Sequence, residues 1–145
     1  MKWSEKQIGY ALARFYFNNK HIMVVNNSYW TGYECDLLCI TKSLRPIDFE
    51  IKISRSDFFA DSKKDKWKSA LKTWKHYFIM PDEIYSHDLL ARLPNKKSGV
   101  ITLIDKDGFI YLSEKKKAQS NNNAKITGSQ LVDIARMVSM RLWKD

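Results

Sequence analysis

Apolar residues recur at helical spacing at Ile8, Ala11, Leu12 and Phe15, and Ser4 followed by Gln7 forms a capping box ahead of them, predicting a first helix that runs to Asn18-Asn19. The period then changes. His21 to Val25 is a short run rich in β-branched residues, Asn26-Asn27 and Thr31-Gly32 carry turn chemistry, and Tyr33 to Ile40 is a second run. Beyond the break at Ser43-Leu44-Arg45-Pro46, the stretch Ile47 to Ile53 alternates strictly. Ile47, Phe49, Ile51 and Ile53 fall on one face, and Asp48, Glu50 and Lys52 on the other. Three strand candidates joined by short turns predict a meander, because sequential strands usually pair.

After Ser54 the period is helical again, with Phe58 and Phe59 early and Trp67, Ala70, Leu71 and Trp74 later on one stripe. A short strand from His76 to Met80 ends at Pro81. Its return after a long helix predicts a right-handed crossover that lays it parallel to its predecessor. Asp82 to Leu93 reads as helix. Gly99 to Ile104 and Phe109 to Leu112 flank Asp107-Gly108, a strong hairpin signal. Glu114 to Gly128 reads as an exposed loop, and Leu131, Ile134, Ala135, Val138 and Leu142 predict a final amphipathic helix. The fold class expected is α/β, one domain over residues 1–145. A mixed central β-sheet is flanked by helices over a core of about 4–112, and a hairpin, a loop over 113–128 and a helix over 129–145 follow.

With 145 residues, 44% hydrophobic, 28% charged and only 5 Gly and 3 Pro, the chain has the composition of one globular domain. Its 25 Lys and Arg against 16 Asp and Glu leave +9, which favours a polyanionic partner, nucleic acid first and an anionic membrane surface second. No apolar run approaches a membrane span and the first residues lack a signal-peptide core, so a cytoplasmic protein without membrane contact is expected. Cys35 and Cys39 fit neither a disulfide framework nor a zinc knuckle and read as reduced core residues. His21, His76 and His87 show no metal-ligand spacing and read as structural. The chain has no Gly-rich phosphate loop and no G-x-S-x-G elbow, which argues against a nucleotide-driven motor and a serine hydrolase.

Glu50-Ile51-Lys52 is the most informative triplet, because a strand places its acid and its amine side by side opposite a continuous apolar stripe. Asp36 lies 14 residues before Glu50 on the preceding strand candidate. Antiparallel pairing across the intervening turn would bring the two carboxylates together. Carboxylates held that close repel unless a cation lies between them, and Mg²⁺ or Mn²⁺ suits such an oxygen-rich site. The alternative is a same-face salt bridge between Glu50 and Lys52 on a solvated strand, worth at most about 1 kcal/mol. Asp36 favours the site, since an acid within an apolar strand is costly without a partner. Glu34 and Asp48 share the faces of Asp36 and Glu50, as substitutes or as solvated strand ends. A second constellation is basic: Lys63, Lys64, Lys66, Lys68 and Lys72 punctuate the helix after Ser54, where they could track a phosphate backbone, with Ser54 or Arg55 at its N-terminal end binding a phosphate oxygen, or simply form a solvated helix face. Trp67 and Trp74 read as core stripe, and Trp30, beside turn residues, could either reach bases or cap the core.

Asp36, Glu50-Ile51-Lys52 and an acid in the opening helix resemble the signature of the PD-(D/E)XK nuclease superfamily. The run Glu50-Ile51-Lys52-Ile53-Ser54-Arg55-Ser56-Asp57-Phe58, followed by Asp61, Lys66-Trp67 and Tyr77-Phe78 before Pro81, resembles its MmcB-like DNA repair nucleases. The similarity covers about residues 4 to 112. It implies a restriction-endonuclease-like core, metal ligation by Asp36, Glu50 and the Ile51 carbonyl, Lys52 as catalytic amine, and Glu5 as the helix-one acid. Glu5 lies on the buried side of its helix, in a first turn where the helix dipole also favours an acid. The expected activity is metal-dependent hydrolysis of DNA phosphodiester bonds in repair, recombination or phage DNA metabolism, with DNA as partner, RNA not excluded, and a homodimer compatible with the superfamily. The competing reading is a non-catalytic nucleic-acid-binding module or subunit that keeps the nuclease fold. Because Lys52 lies on the polar face of its strand, Lys52→Ala is expected to abolish cleavage and spare the fold.

Overall fold

The capping box at Ser4 forms: the Gln7 N–H donates to Ser4 Oγ at 3.1 Å and the Ser4 N–H donates to Gln7 Oε1 at 2.9 Å. Helix α1 follows over Glu5–Ala11 and continues as a π-helix over Leu12–Phe17. The wider π spacing changes which side chains face inward. Leu12 and Phe17, five apart, are both buried, whereas Phe15, which a 3.6-residue period assigns to the core, is 51% exposed. Asn18, with φ of 47°, ends the helix. The chain is seen in a computed structural model, and residues 3–18, 20–30, 33–61 and 72–144 are described.

Six strands form one mixed sheet in sequential order: β1 (His21–Trp30), β2 (Tyr33–Thr41), β3 (Pro46–Ile51), β4 (Lys75–Pro81), β5 (Gly99–Lys106) and β6 (Phe109–Lys116). β1, β2 and β3 are the antiparallel meander that the short turns predict, and β4 returns parallel to β3. β5 runs parallel to β4 and pairs antiparallel with β6 across Asp107-Gly108. Both turn residues have positive φ, 52° and 87°, as a primed hairpin turn requires. Helix α2 occupies Arg55–Asp61 after β3, and α3 occupies Gly128–Arg141.

Several boundaries differ from the sequence reading. Asn26-Asn27, expected as a turn, lies within β1. β3 stops at Ile51, so Ile53 leaves the apolar stripe and is 61% exposed. Asp82 to Leu93 is not a continuous helix but two short 3-10 segments, Asp82–Ile84 and His87–Arg92. Trp67, Ala70 and Leu71 lie outside the described residues, as does the side chain of Trp30. On α3 the buried stripe is narrower than its spacing predicts. Ile134 is buried with Leu131 and Met137 beside it, while Val138 and Leu142 face solvent.

Helix α1 and its π continuation pack Ile8, Ala11, Leu12 and Phe17 onto one sheet face, against Leu37, Cys39, Ile47, Phe49, Tyr77 and Ile79. The other face has two covers. Val25, Leu38 and Ile40 lie under Ile134 of α3 and Ile126 before it, and Phe78, Met80 and Val100 lie under Phe58 of α2 and Leu89. Each such large side chain contributes on the order of 2 kcal/mol on burial. The stretch between β6 and α3, expected as an exposed loop, begins only after Lys116 and is anchored. Ala118 and Ile126 are buried, the Ile126 N–H donates to the Leu44 carbonyl at 2.8 Å, and Arg45 donates to the carbonyls of Asn123 and Ala124 at 2.6 and 3.2 Å.

Candidate functional site

β3 lies inside the sheet between antiparallel β2 and parallel β4, and both faces of the sheet are covered, so its polar side is not solvated. Asp48, Glu50 and Lys52 are 1%, 6% and 4% exposed. An acid or amine in such surroundings is costly unless paired and hydrogen-bonded; Glu50 and Lys52 pair with each other, whereas Asp48 Oδ1 is buried with no hydrogen-bond partner among the described residues. Lys52 Nζ lies 3.7 Å from Glu50 Oε2, and Glu50 Oε1 lies 3.3 Å from Nε2 of His76, a fully buried residue of β4. The parallel register sets Asp48 beside His76, and its Oδ2 is 3.9 Å from the same nitrogen. The other ring nitrogen, Nδ1, shares a 2.8 Å hydrogen bond with Ser98 Oγ, and the Phe78 ring meets the imidazole edge-on at 4.8 Å. A chain of polar contacts therefore runs Lys52, Glu50, His76, Ser98 across three strands' ends.

Asp36 arrives from the other side. Pairing of β2 with β3 extends to Leu37 opposite Phe49, and one residue further along β2 the Asp36 carboxylate accepts the Ile51 N–H at 2.9 Å. The next amide along, that of Lys52, turns the opposite way and donates to the Ile79 carbonyl at 3.0 Å. Asp36 thus meets β3 between Glu50 and Lys52 in sequence, and the contact is to the Ile51 backbone amide. Asp36 and Ile51 are only half-buried.

Glu5 opens α1, and its Oε1 is buried with no hydrogen-bond partner among the described residues. It borders a cavity of about 430 Å³ with Gly9, Val24, Asn26 and Leu37, on the sheet face opposite Glu50. Glu34 is exposed.

The phosphate-binding set is only partly in view, since Lys63, Lys64, Lys66 and Lys68 lie outside the described residues. Lys72 is exposed. Ser54 spends its hydroxyl on α2, accepting the Asp57 N–H at 3.1 Å. Arg55 is engaged within the protein, donating to Ser86 Oγ at 2.6 Å and Asp88 Oδ2 at 3.0 Å and lying 5.4 Å from the Phe59 ring centroid. The 3-10 turn that replaces the expected helix supplies this acidic partner. The Ser86 hydroxyl first, and Arg55 second, hold the Asp88 carboxyl below its ordinary range.

The burial of Lys52 overturns the expectation that Lys52→Ala spares the fold, since the amine is half of an enclosed pair. His76 and Ser98 are the site residues that the sequence reading missed. The usable signal was the parallel placement of β4, which puts His76 level with Asp48. Among the described residues, Asp48, Glu50 and His76 form a group whose ligand atoms lie within 4.8 Å of one another. Two carboxylates and an imidazole suit a divalent ion. The nitrogen favours Mn²⁺ and later transition metals over Mg²⁺, and the Ser98 hydroxyl on Nδ1 is the outer contact that fixes a ligating histidine.

No family model matches the chain, and no curated protein matches it. Among solved structures it is similar to the SPO1766 protein of unknown function from Silicibacter pomeroyi, with a TM-score of 0.58 and 20% identity over 83% of this chain and 76% of that one. That likeness concerns the fold alone. No described helix is long and apolar enough to cross a membrane.

Proposed function

We propose that the chain is a metal-dependent deoxyribonuclease of the PD-(D/E)XK type, with a restriction-endonuclease-like core. The observation that carries this reading is the placement of two carboxylates and an amine at the end of β3. They are the Asp36 carboxylate on the Ile51 amide at 2.9 Å, the Glu50 carboxylate, and the Lys52 amine 3.7 Å from it. Asp36 and Glu50, with the carbonyl of Ile51 next to Glu50, would hold a divalent ion, and Asp48 and His76 would extend the ligand set on the β4 side. Such an ion, when bound, supplies Lewis acidity and offsets negative charge on a scissile phosphate.

The protein's own part is positioning. Glu50 is oriented by contacts on both carboxylate oxygens, Lys52 on one and His76 on the other. The Lys52 amine brings a positive charge to the point where hydrolysis builds negative charge, and its burial strengthens that interaction. The +9 charge of the chain supports a polyanionic substrate. The near-complete burial of Glu50 and Lys52 favours the second reading, in which the same ion pair is structural and the domain binds nucleic acid without cutting it.

The deciding experiment incubates supercoiled plasmid and end-labelled single-stranded and branched DNA with the protein in Mg²⁺, Mn²⁺ or EDTA, beside Asp36→Asn and Glu50→Gln. Metal-dependent cutting lost in both variants supports the nuclease. DNA retarded on a gel but intact in every metal moves the conclusion to the binding module. Cutting that survives both substitutions refutes the site.

A further inference from the structure

A second cavity lies at the opposite end and on the opposite face of the sheet from Glu50 and Lys52, where β3 and β4 begin and Ile47 pairs with Lys75. Its volume of about 440 Å³ falls within the range of small-molecule sites. Three amines border it, Lys20 from the turn after the π-helix, Lys75 from β4 and Lys117 after β6. None of the three makes an ion pair among the described residues. The single acid in the wall, Glu114, is already engaged, accepting hydrogen bonds from the hydroxyls of Tyr16 and Tyr77, the latter at 2.9 Å. Three positive groups against one negative leave +2 around the cavity. Lys75 is pressed by its surroundings: partial burial, and then the charge of Lys117, hold its amine below its ordinary range. Glu114 offsets only part of this, so the like charges of Lys75 and Lys117 form a site that an anion would relieve.

The remaining wall is aromatic. Trp74 lies beside the amines, with Lys75 Nζ 4.5 Å and the Arg45 guanidinium carbon 5.7 Å from its ring centroid. Tyr77, behind it, is fixed by stacking on Phe49 at 5.3 Å with 12° between the planes. A group bound through its anionic end to Lys75 therefore brings whatever it carries against a flat π surface. A phosphate monoester is close to dianionic at neutral pH, which matches the +2 of the wall, and a nucleobase is the planar partner that an indole accepts.

We infer that this cavity binds a nucleotide carrying a terminal phosphate, the phosphate between Lys75, Lys117 and Lys20 and the base against Trp74. The site shares no residue with the candidate nuclease centre and does not depend on it.

The test is calorimetric titration of the full chain, in EDTA, with adenosine monophosphate, adenosine, inorganic phosphate and inositol phosphate as separate probes. The expected result is binding of the monophosphate at least about tenfold tighter than of any other probe. The variant Lys75→Gln/Lys117→Gln should weaken it by about tenfold or more, since each charge-assisted contact is worth about 1.5 kcal/mol or above. Trp74→Leu should weaken the monophosphate and leave inorganic phosphate unchanged. Circular dichroism and the unfolding midpoint identify a variant that fails to fold, in which case Lys117→Gln alone, at an exposed position, carries the test. Equal affinity for phosphate and the monophosphate reduces the site to an adventitious ion only and overturns the proposal, as do preference for inositol phosphate, indifference to the lysine variants, or no binding at millimolar probe. With no metal and no scissile bond in the assay, none of these outcomes bears on the nuclease reading.

Discussion

Replacing Lys52 probes the candidate centre most directly, because it separates fold from chemistry. Its amine stands 3.7 Å from Glu50 Oε2, and the two side chains are 5% and 7% exposed. At that distance an effective dielectric of 20 gives an attraction of roughly 4.5 kcal/mol, most of which repays the desolvation of two buried charges. Taking away the amine leaves the carboxylate in place with its cost unrecovered. Breaking such pairs costs about 3 to 5 kcal/mol, and His76, 3.3 Å from the other oxygen, keeps the loss near the lower figure. Lys52→Met, which preserves the stem, should therefore lose about 3 kcal/mol. Lys52→Ala removes three further methylenes at about 0.8 kcal/mol each and should lose about 5. In the double variant Lys52→Met/Glu50→Gln neither charge is stranded, and about 2 kcal/mol should return. Urea unfolding near neutral pH, read by linear extrapolation for wild type, these three variants and Glu50→Gln alone, gives all of these values and the coupling between the two side chains. The double variant, folded but without acid or amine, is also the proper inactive control for cleavage. Lys52→Ala within 1 kcal/mol of wild type, or a coupling indistinguishable from zero, would refute the enclosed pair.

Gly99→Ala should destabilise by about 2 kcal/mol or more on the same unfolding assay, because its new methyl would sit 2.3 Å from a carbon of the stacked Tyr77 ring and 2.7 Å from the Ala118 amide. The two cysteines are fully buried, so a thiol reagent such as DTNB should label neither in native protein and both in denaturant; labelling without denaturant would contradict their placement. Burial raises the Cys39 thiol, and burial followed by the Glu114 contact raises the Tyr16 hydroxyl. Both groups therefore keep their protons in the folded chain after the unfolded chain has lost them. Stability should be full below about pH 8.5 and fall as pH climbs through 9 and 10, and urea midpoints that stay flat to pH 10.5 would reject that sign.

The legible parts of this fold were those where one local signal sufficed. Ser4 with Gln7 capped α1, Asp107-Gly108 made the hairpin, and alternation placed Ile47 and Phe49 in the core. Asp36 could be set against the Glu50 to Lys52 stretch because an antiparallel turn fixes register by counting. Where the outcome depended on a third layer, counting failed. Nothing in Asp48-Phe49-Glu50 shows that the polar side will be covered, and so a strand that reads as half-solvated is buried from Pro46 to Glu50. His76 gave no sign in its own neighbourhood, since its partners Glu50 and Ser98 come from other strands and their approach follows from a parallel crossover. Phe15 was misassigned because a π turn, which leaves no mark on apolar spacing, shifts the helix face.

The anchoring of the stretch between β6 and α3 bears on how the domain can be inherited. A fragment ending at residue 112 would carry every candidate ligand, yet it would strip Val25, Leu38 and Ile40 of Ile126 and Ile134 and deprive Leu44 and Arg45 of their hydrogen bonds to the tail. The motif-bearing part is therefore not portable: it can be fused, shuffled or grafted only together with the tail that closes it. Changes of length in that tail should be tolerated between Lys117 and Lys125 only where they leave the contacts to Leu44 and Arg45 in register.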